Sequence, residues 1–505
     1  MTVHRLSLHL AVAVAAMLVS CDGRHSGVNG DLTLEYYAPL RCAGYSVDAD
    51  SVTALLRAMA MSDRGSLAAD RNTRSYYLSG GVPLWVSYAG VDSRVDSVIH
   101  YIMYAREGGI SEDVFAEEQI KADAARLREL RFDSANSITR VVARLEYNLT
   151  RSYQRCAAIQ HYGLVNPSTL YNHLELKEPS TSPDDFLRLY DVPVLRPDSS
   201  FFARARAAVV TDSVGSFLSS LQPRGELYAL LVERLAATTD SGEREKLICN
   251  IERCRWCHDD APSMHERYVE VNMPGFTLYG VSPDSVVQMK IICGAVKTKS
   301  PILTSAISRI DINPKWIVPK SIAKGYVGDT AYLQRNNMYV YDKERGRLPA
   351  GQGSYDRVMS GDQHIIQESG DDNSLGRIVF RFANNYSIYL HYTSSPYLFE
   401  RSVRAMSHGC IRLERPIDLA RFVLADRDDD MVDRIDYSVT VDLSADAPEP
   451  PDGKRMVNSV AVEPAMPLFI SYYTVYAPPG GRLCHYADVY GYDAPLLDKL
   501  RPYIR

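Results

Sequence analysis

The spacing of apolar and polar positions changes character once along the chain. Up to about residue 260 apolar residues recur at helical intervals; from about 266 they gather into short runs with the two-residue period of strands. In the first part, Ser111 followed by Glu112 and Asp113 predicts a helix start. Ile120, Ala124, Leu127 and Leu130 carry that helix towards Arg128 and Arg131, acid first and base last, as the helix dipole favours. A second helix is expected from Asn136 or Ser137, with Leu145, Leu149 and Tyr153 on one face and a stop near Gly163. Prolines at 179, 183, 193 and 197 mark connecting chain, and helical signals return over about 201–256. In the second part strands are expected at 289–293, 377–382 and 385–391. Pro416 opens a helix with Leu419, Phe422 and Val423 on one side. A polar Pro-rich loop at 445–454 leads to a strand over 468–475 and a Tyr-rich tail. The pattern is α+β: a helical scaffold over 22–260, a mainly β domain over 261–440, and a C-terminal segment, 441–505, packing back on one of them.

Residues 1–21 stand apart. His4 and Arg5 precede an apolar run from Leu8 to Val19, interrupted only by His9. The run is too short for a bilayer, which takes ~20 residues, and has the length of a signal-peptide core. Leu18-Val19-Ser20-Cys21 resembles a bacterial lipobox, in which the Cys becomes the first residue and carries lipid. This predicts an exported, periplasm-facing lipoprotein of the cell envelope, tethered to a membrane through Cys21.

Composition narrows the function. A 46% hydrophobic content excludes wholesale disorder, and a net charge of -6 without a basic stripe argues against nucleic acid as a partner. There are 33 Tyr against 3 Trp, a balance that fits a β-rich fold. Of the 9 Cys, those beyond Cys21 are irregularly spaced along a long chain, which is not the layout of a disulfide scaffold.

The chemistry concentrates in His391-Tyr392-Thr393 and Ser407-His408-Gly409-Cys410-Ile411-Arg412. A thiol with a pKa near ~8.5 is only slightly ionised at neutral pH and needs an imidazole or a positive field to become a strong nucleophile. On the expected strand, Ser387, Tyr389 and His391 share one face, and Tyr386, Ile388 and Leu390 the other. Gly409 permits a tight turn before Cys410, and the N–H groups of Gly409 and Cys410 are candidates for an oxyanion site.

These residues resemble the L,D-transpeptidases with a YkuD-type catalytic domain, whose pattern is a His, a loop, then Ser/Thr-His-Gly-Cys, an aliphatic residue and Arg or Asn. The likeness to the large YcbB-like branch extends to Asn250-Ile251-Glu252-Arg253 with Arg255-Trp256, and to Tyr268–Asn272 with Met273-Pro274. It includes Ser300-Pro301, the 313–319 segment Asn-Pro-Lys-Trp-Ile-Val-Pro, Asn373-Ser374-Leu375-Gly376 and the tail Asp488-Val489-Tyr490-Gly491-Tyr492-Asp493. Upstream, Leu84-Trp85-Val86 and Tyr162-Gly163-Leu164-Val165-Asn166-Pro167 are similar to its helical scaffold. The resemblance implies a YkuD-like β-sandwich with Cys410 as nucleophile, His391 as base and the Tyr392 carbonyl orienting the imidazole. Tyr389 would sit beside the substrate carbonyl, and Ser407, His408 and Arg412 would shape the pocket. It further implies acyl transfer between peptidoglycan tetrapeptide stems, as donor and acceptor, without metal or other cofactor, and acylation by carbapenems. Two departures stand out. No room exists between Leu227 and Asn250 for the small peptidoglycan-binding domain of many large members, and Ser369-Gly370 replaces a usual Pro-Gly.

A rival constellation is Cys254-Arg255-Trp256-Cys257-His258, the c-type haem attachment pattern, with Cys249 adding a zinc-like ligand set. It overlaps the segment leading into the β domain, where Trp256 is expected as a helix-end anchor.

Overall fold

The computed structural model describes residues 47–504 apart from 48, 88–89, 178–181, 426–428, 444–446 and 448–450; Cys21 lies outside the described residues. The first part is helical. Its centre is the helix Ile138–Tyr162, apolar or buried around most of its circumference, with Val141, Leu145, Leu149 and Cys156 fully enclosed. A helix of that kind must sit inside a bundle, and the helices Ala49–Ser62, Ala68–Leu78, Arg94–Glu107 and Glu117–Glu129 pack round it. Buried polar groups on it are tied to neighbouring elements. Glu146 accepts the Trp85 N–H at 2.9 Å and the Tyr77 hydroxyl at 2.9 Å, and Thr150 accepts the Trp85 indole N–H at 3.0 Å.

One local expectation changes in detail. Ser111 caps only a short 3-10 turn, Glu112–Val114, and the helix proper begins at Glu117 after the left-handed Ala116. Phe115, fully buried between them, holds the break. The second helix runs as the pattern predicts, from Ile138 to Tyr162, and Gly163 at φ +68° ends it. Among the described residues, no helix is long and apolar enough to cross a membrane.

The β part uses nine main strands: β1 (Tyr268–Asn272), β2 (Thr277–Val281), β3 (Val286–Gly294), β4 (Ile302–Ile312), β5 (Ile378–Phe382), β6 (Leu390–His391), β7 (Ala405–Ser407), β8 (Ile411–Leu413) and β9 (Ser459–Ser471). The ladder runs β5-β6-β8-β3-β2-β1-β9-β4, and β4 pairs again with β5, so the sheet closes on itself. The facing layers of the expected sandwich therefore belong to one continuous ladder, whose interior holds Val271, Leu278, Ile291, Ile310, Phe380, Leu390 and Ile411. β9, from the C-terminal segment, lies between β1 and β4 and completes the closure. The strand expected over 385–391 shortens to Leu390–His391. Asn384 captures the Tyr386 and Ile388 N–H groups, at 2.9 and 3.2 Å, and Ser387 turns left-handed at φ +56°.

Between β4 and β5 the chain builds a second, four-stranded sheet: Gly346–Leu348, Met338–Asp342, Gln363–Gln367 and Trp316–Ile317, in that order. It has a separate small core of Val318, Leu333, Met338, Val358 and Ile365.

The helix Ser241–Arg255 joins the two parts. Each polar residue of Asn250-Ile251-Glu252-Arg253 reaches a different element. Asn250 exchanges bonds with Thr474, accepting its N–H at 2.9 Å and donating to its hydroxyl at 2.8 Å. Arg253 pairs with Asp493 at 2.6 Å, and Glu252 accepts the N–H groups of Leu164 and Val165 at 2.6 and 2.8 Å. Trp256 caps the helix and packs edge-on against Tyr171 and Tyr190, as a helix-end anchor should. Glu252→Ala would strand two buried N–H donors, each at about 1–3 kcal/mol. We expect a loss of about 2–4 kcal/mol in denaturant unfolding; a loss below about 0.5 kcal/mol would show these bonds to be replaceable.

Candidate active site

Strand parity brings the chemistry together. β6 pairs in parallel with β8, Leu390 beside Ile411 and His391 beside Arg412, and the Ile411 N–H donates to the Tyr389 carbonyl at 3.0 Å. Leu390 and Ile411 face the enclosed core. Side chains alternate along each strand, so Tyr389, His391, Cys410 and Arg412 share the opposite face. The ladder thus sets the imidazole on one strand and the thiol at the entry to its neighbour, on the face that alternation assigns to both.

The turn before Cys410 is held by its own residues. Gly409 adopts φ +107°, and a Cβ there would meet nothing closer than 3.6 Å, so it is the backbone angle that calls for glycine. The buried Ser407 hydroxyl donates to the Cys410 carbonyl at 2.6 Å and accepts the Gly409 N–H at 3.2 Å. Ser407 thus braces the turn, and the Gly409 N–H is engaged within it. Of the two donors expected at an oxyanion site, only the Cys410 N–H lacks an acceptor among the described residues. His408 is exposed.

A second layer supports the turn from behind. The buried Ser300 hydroxyl donates to the Gly409 carbonyl at 2.7 Å, and Thr298 donates to the Ser407 carbonyl at 2.8 Å. Tyr490 accepts the Ser300 N–H at 3.2 Å and donates to the Gly294 carbonyl at 2.7 Å. Lys299, nearly enclosed, pairs with Glu175 of the helical part and lies over the Tyr490 and Tyr492 rings.

His391 is 3% exposed, and the Leu375 carbonyl stands 3.3 Å from its Nδ1. The Tyr392 carbonyl also faces the ring. The Leu375 carbonyl can only accept, so in the neutral ring Nδ1 carries the proton and Nε2 keeps its lone pair. The carbonyl of Tyr392 was legible in the motif; that of Leu375 was not. Gly376 makes the second approach possible, because a Cβ there would sit 2.7 Å from the Tyr392 Cβ.

Electrostatics define the resting state. Burial, and then the Arg412 charge, push the His391 pKa down to about 4, while burial pushes the Cys410 thiol up. The Tyr389 N–H and the charges of Arg412 and Arg381 pull the thiol back towards ionisation. Arg412 is itself mostly buried, and its Nε has no hydrogen-bond partner among the described residues. Arg381 lies 4.2 Å over the Tyr389 ring and is fixed by Asp311 at 2.8 Å. Sequence reasoning passed over this pair; the only signal was a charge in an otherwise apolar strand.

The rival constellation does not assemble. Cys249 faces the Asp493 carbonyl at 3.6 Å, Cys257 faces His161 at 3.8 Å, and His258 is held by the Tyr190 hydroxyl at 2.7 Å. Cys254, Cys257 and His258 line a cavity of about 400 Å³ between the helical and β parts, which Cys410 does not border. Among the described residues no group of three or more His, Cys, Asp or Glu is placed to hold a metal.

With the imidazole neutral above about pH 4 and the thiol raised, both groups are uncharged at pH 7. Alkylation of Cys410 by iodoacetamide in the free protein should rise with one ionisation above the ordinary thiol value of about 8.5. A rate already level by pH 7 would instead mean a preformed thiolate–imidazolium pair.

Comparison with known proteins agrees with this geometry. The pattern of the L,D-transpeptidase catalytic domain, YkuD, matches residues 266–441, and that of the scaffold domain matches residues 71–235. A Haemophilus influenzae protein bearing the name "Putative L,D-transpeptidase" is 23% identical over 308 residues. The match covers 59% of this chain and 59% of that relative, so the chain spans about three-fifths of its length. The scaffold match falls on the helical bundle and the catalytic-domain match on the closed β domain that carries His391 and Cys410. The chain belongs to the L,D-transpeptidases that couple a YkuD catalytic domain to a scaffold domain, the YcbB-like architecture.

Proposed function

We propose that this protein forms 3→3 cross-links in peptidoglycan through a Cys410 thioester. His391 Nε2 takes the thiol proton as the sulfur attacks the carbonyl carbon of the third stem residue, an L-centre of a diamino acid. Charge develops on the carbonyl oxygen, for which the Cys410 N–H is the available donor. The peptide bond to the terminal D-Ala breaks, and the departing amine takes the proton back from His391. An amine from a neighbouring stem then attacks the thioester. It loses its proton to His391, and the sulfur leaves as thiolate. The observation that carries this reading is the shared face of His391, Cys410 and Arg412, fixed by the β6–β8 register. Tyr389, its ring held under Arg381 on the same face, would contact the substrate. Arg412, with an unpaired Nε, supplies a positive group for the donor stem. Export and a lipid tether through Cys21 would place the enzyme on the wall-facing side of a membrane.

Cys410→Ala should abolish dimer formation from purified disaccharide-tetrapeptides, read by mass spectrometry, while the unfolding midpoint stays within a few degrees of the parent. His391→Ala should slow acylation by a carbapenem by about a hundredfold or more, the scale of lost general-base catalysis. Dimers formed by Cys410→Ala would end the thioester reading. Trimmed monomers from the unaltered protein would make water the acceptor. Exchange of added D-amino acids, or attachment to a protein amine, would likewise replace the stem amine.

A further inference from the structure

The turn that carries the Leu375 carbonyl is also where the inserted sheet returns to the main one. Two buried amide side chains, each 1% exposed, bind the two together. Asn373 donates to the carbonyls of Pro314 and Glu368, at 3.1 and 2.8 Å, which lie at the two ends of the insertion. Its Oδ1 accepts the Leu375 N–H at 2.8 Å, and its own carbonyl accepts the Gly376 N–H at 2.8 Å. Gln367 closes the last strand of the inserted sheet, where it pairs with Met338 and Trp316. Its amide donates to the Asn336 and Asp372 carbonyls, both at 3.0 Å, and its oxygen accepts the Ser374 N–H at 2.9 Å. Between them the two amides span from the insertion to the turn: the Asn373 Nδ2 reaches back to both ends of the insertion, and Gln367 reaches forward to Asp372 and Ser374. The turn in turn presses on Tyr392 through Gly376 and meets His391 Nδ1 through Leu375.

We infer that Asn373, assisted by Gln367, is a positioning residue for the base: it places the Leu375 carbonyl against His391, so that the seating of the inserted sheet sets the tautomer and direction of the imidazole. The inference rests on the proposed role of His391 as base. A carbonyl displaced from Nδ1 leaves the ring free to exchange tautomers, and the tautomer bearing its proton on Nε2 cannot accept the thiol proton. The inserted sheet acts here without touching either reacting group.

The test uses the full chain in three forms: unaltered, Asn373→Asp and Gln367→Glu. Asn373→Asp keeps the acceptor for the Leu375 N–H and removes both donors to the insertion. Two readouts are needed. One is the single-turnover rate of carbapenem acylation, from lactam absorbance and intact mass. The other is the ¹⁵N imidazole spectrum, with the His391 signals assigned by their loss in His391→Ala. Asn373→Asp is expected to slow acylation about 10- to 100-fold, the scale of a small misplacement of a catalytic group. The His391 signals should move from a pure Nδ1–H pattern towards a mixture. Parent-like acylation and an unchanged imidazole pattern, even with a lowered melting temperature, would reduce Asn373 to a structural residue and overturn the inference. Should Asn373→Asp fail to fold, the same two measurements on Gln367→Glu decide it. If His391→Ala is acylated at the parent rate, the base assignment itself fails and the inference falls with it. If His391→Ala is inert while Asn373→Asp behaves as the parent, only the positioning role is lost.

Discussion

The short parallel ladder between β6 and β8 is the constraint on which the site depends. Parallel neighbours place equivalent side chains on the same side, and one residue of slippage would exchange the two faces. Leu390 and Ile411 lock the register because both are fully enclosed in the core. A slip would turn two apolar side chains outward and bury Cys410 or His391 among hydrocarbon. The apolar face thus fixes where the reacting face lies. Closure of the sheet makes the lock stronger, since β5 is held by both β4 and β6 and has no free edge along which to shift.

Much of this was legible in the chain. The alternation at Leu390-His391 and Ile411-Arg412 marks buried and reactive faces, and the Gly409 turn is written in the residue that permits its backbone angle. The helix pattern from Leu145 to Tyr153 ends at Gly163, as the bundle requires. Other features depend on contacts between residues far apart, which local periodicity does not carry. The strand expected over 385–391 lost its first half to Asn384, whose side chain competes with the ladder for backbone N–H groups. The engagement of the Gly409 N–H by Ser407 is a tertiary detail of the same sort. Leu375 is invisible to any search for functional side chains because it acts through its carbonyl. Likewise Cys257 and His258 are adjacent in sequence, yet the end of a helix turns them to separate partners, His161 and Tyr190.

The electrostatics of the pair follow from enclosure. A buried imidazole resists a proton and a buried thiol resists losing one. Two guanidinium groups, of Arg412 and Arg381, surround the sulfur and disfavour a positive ring. The resting site is therefore neutral. In the proposed mechanism charge separation arrives with the attack, when the negative charge passes from sulfur to the carbonyl oxygen and the arginines have an anion to face. A low-dielectric site with fixed cations stabilises the reacting state more than the resting one, which is the direction catalysis needs.

The same reasoning gives the helical part a role at the proposed nucleophile, Cys410. The chain that holds Gly409 and Ser407 from behind is the 294–300 segment, and its Lys299 side chain is 4% exposed. An ammonium so enclosed is stable only with its partners: Glu175 from the scaffold side, the Tyr490 carbonyl at 3.1 Å and the faces of Tyr490 and Tyr492. Withdrawing the carboxylate would leave a charge buried beside the segment that supports the catalytic turn. Scaffold, C-terminal tail and catalytic strands thus converge on one loop, and the precision of the thiol's position is shared among all three.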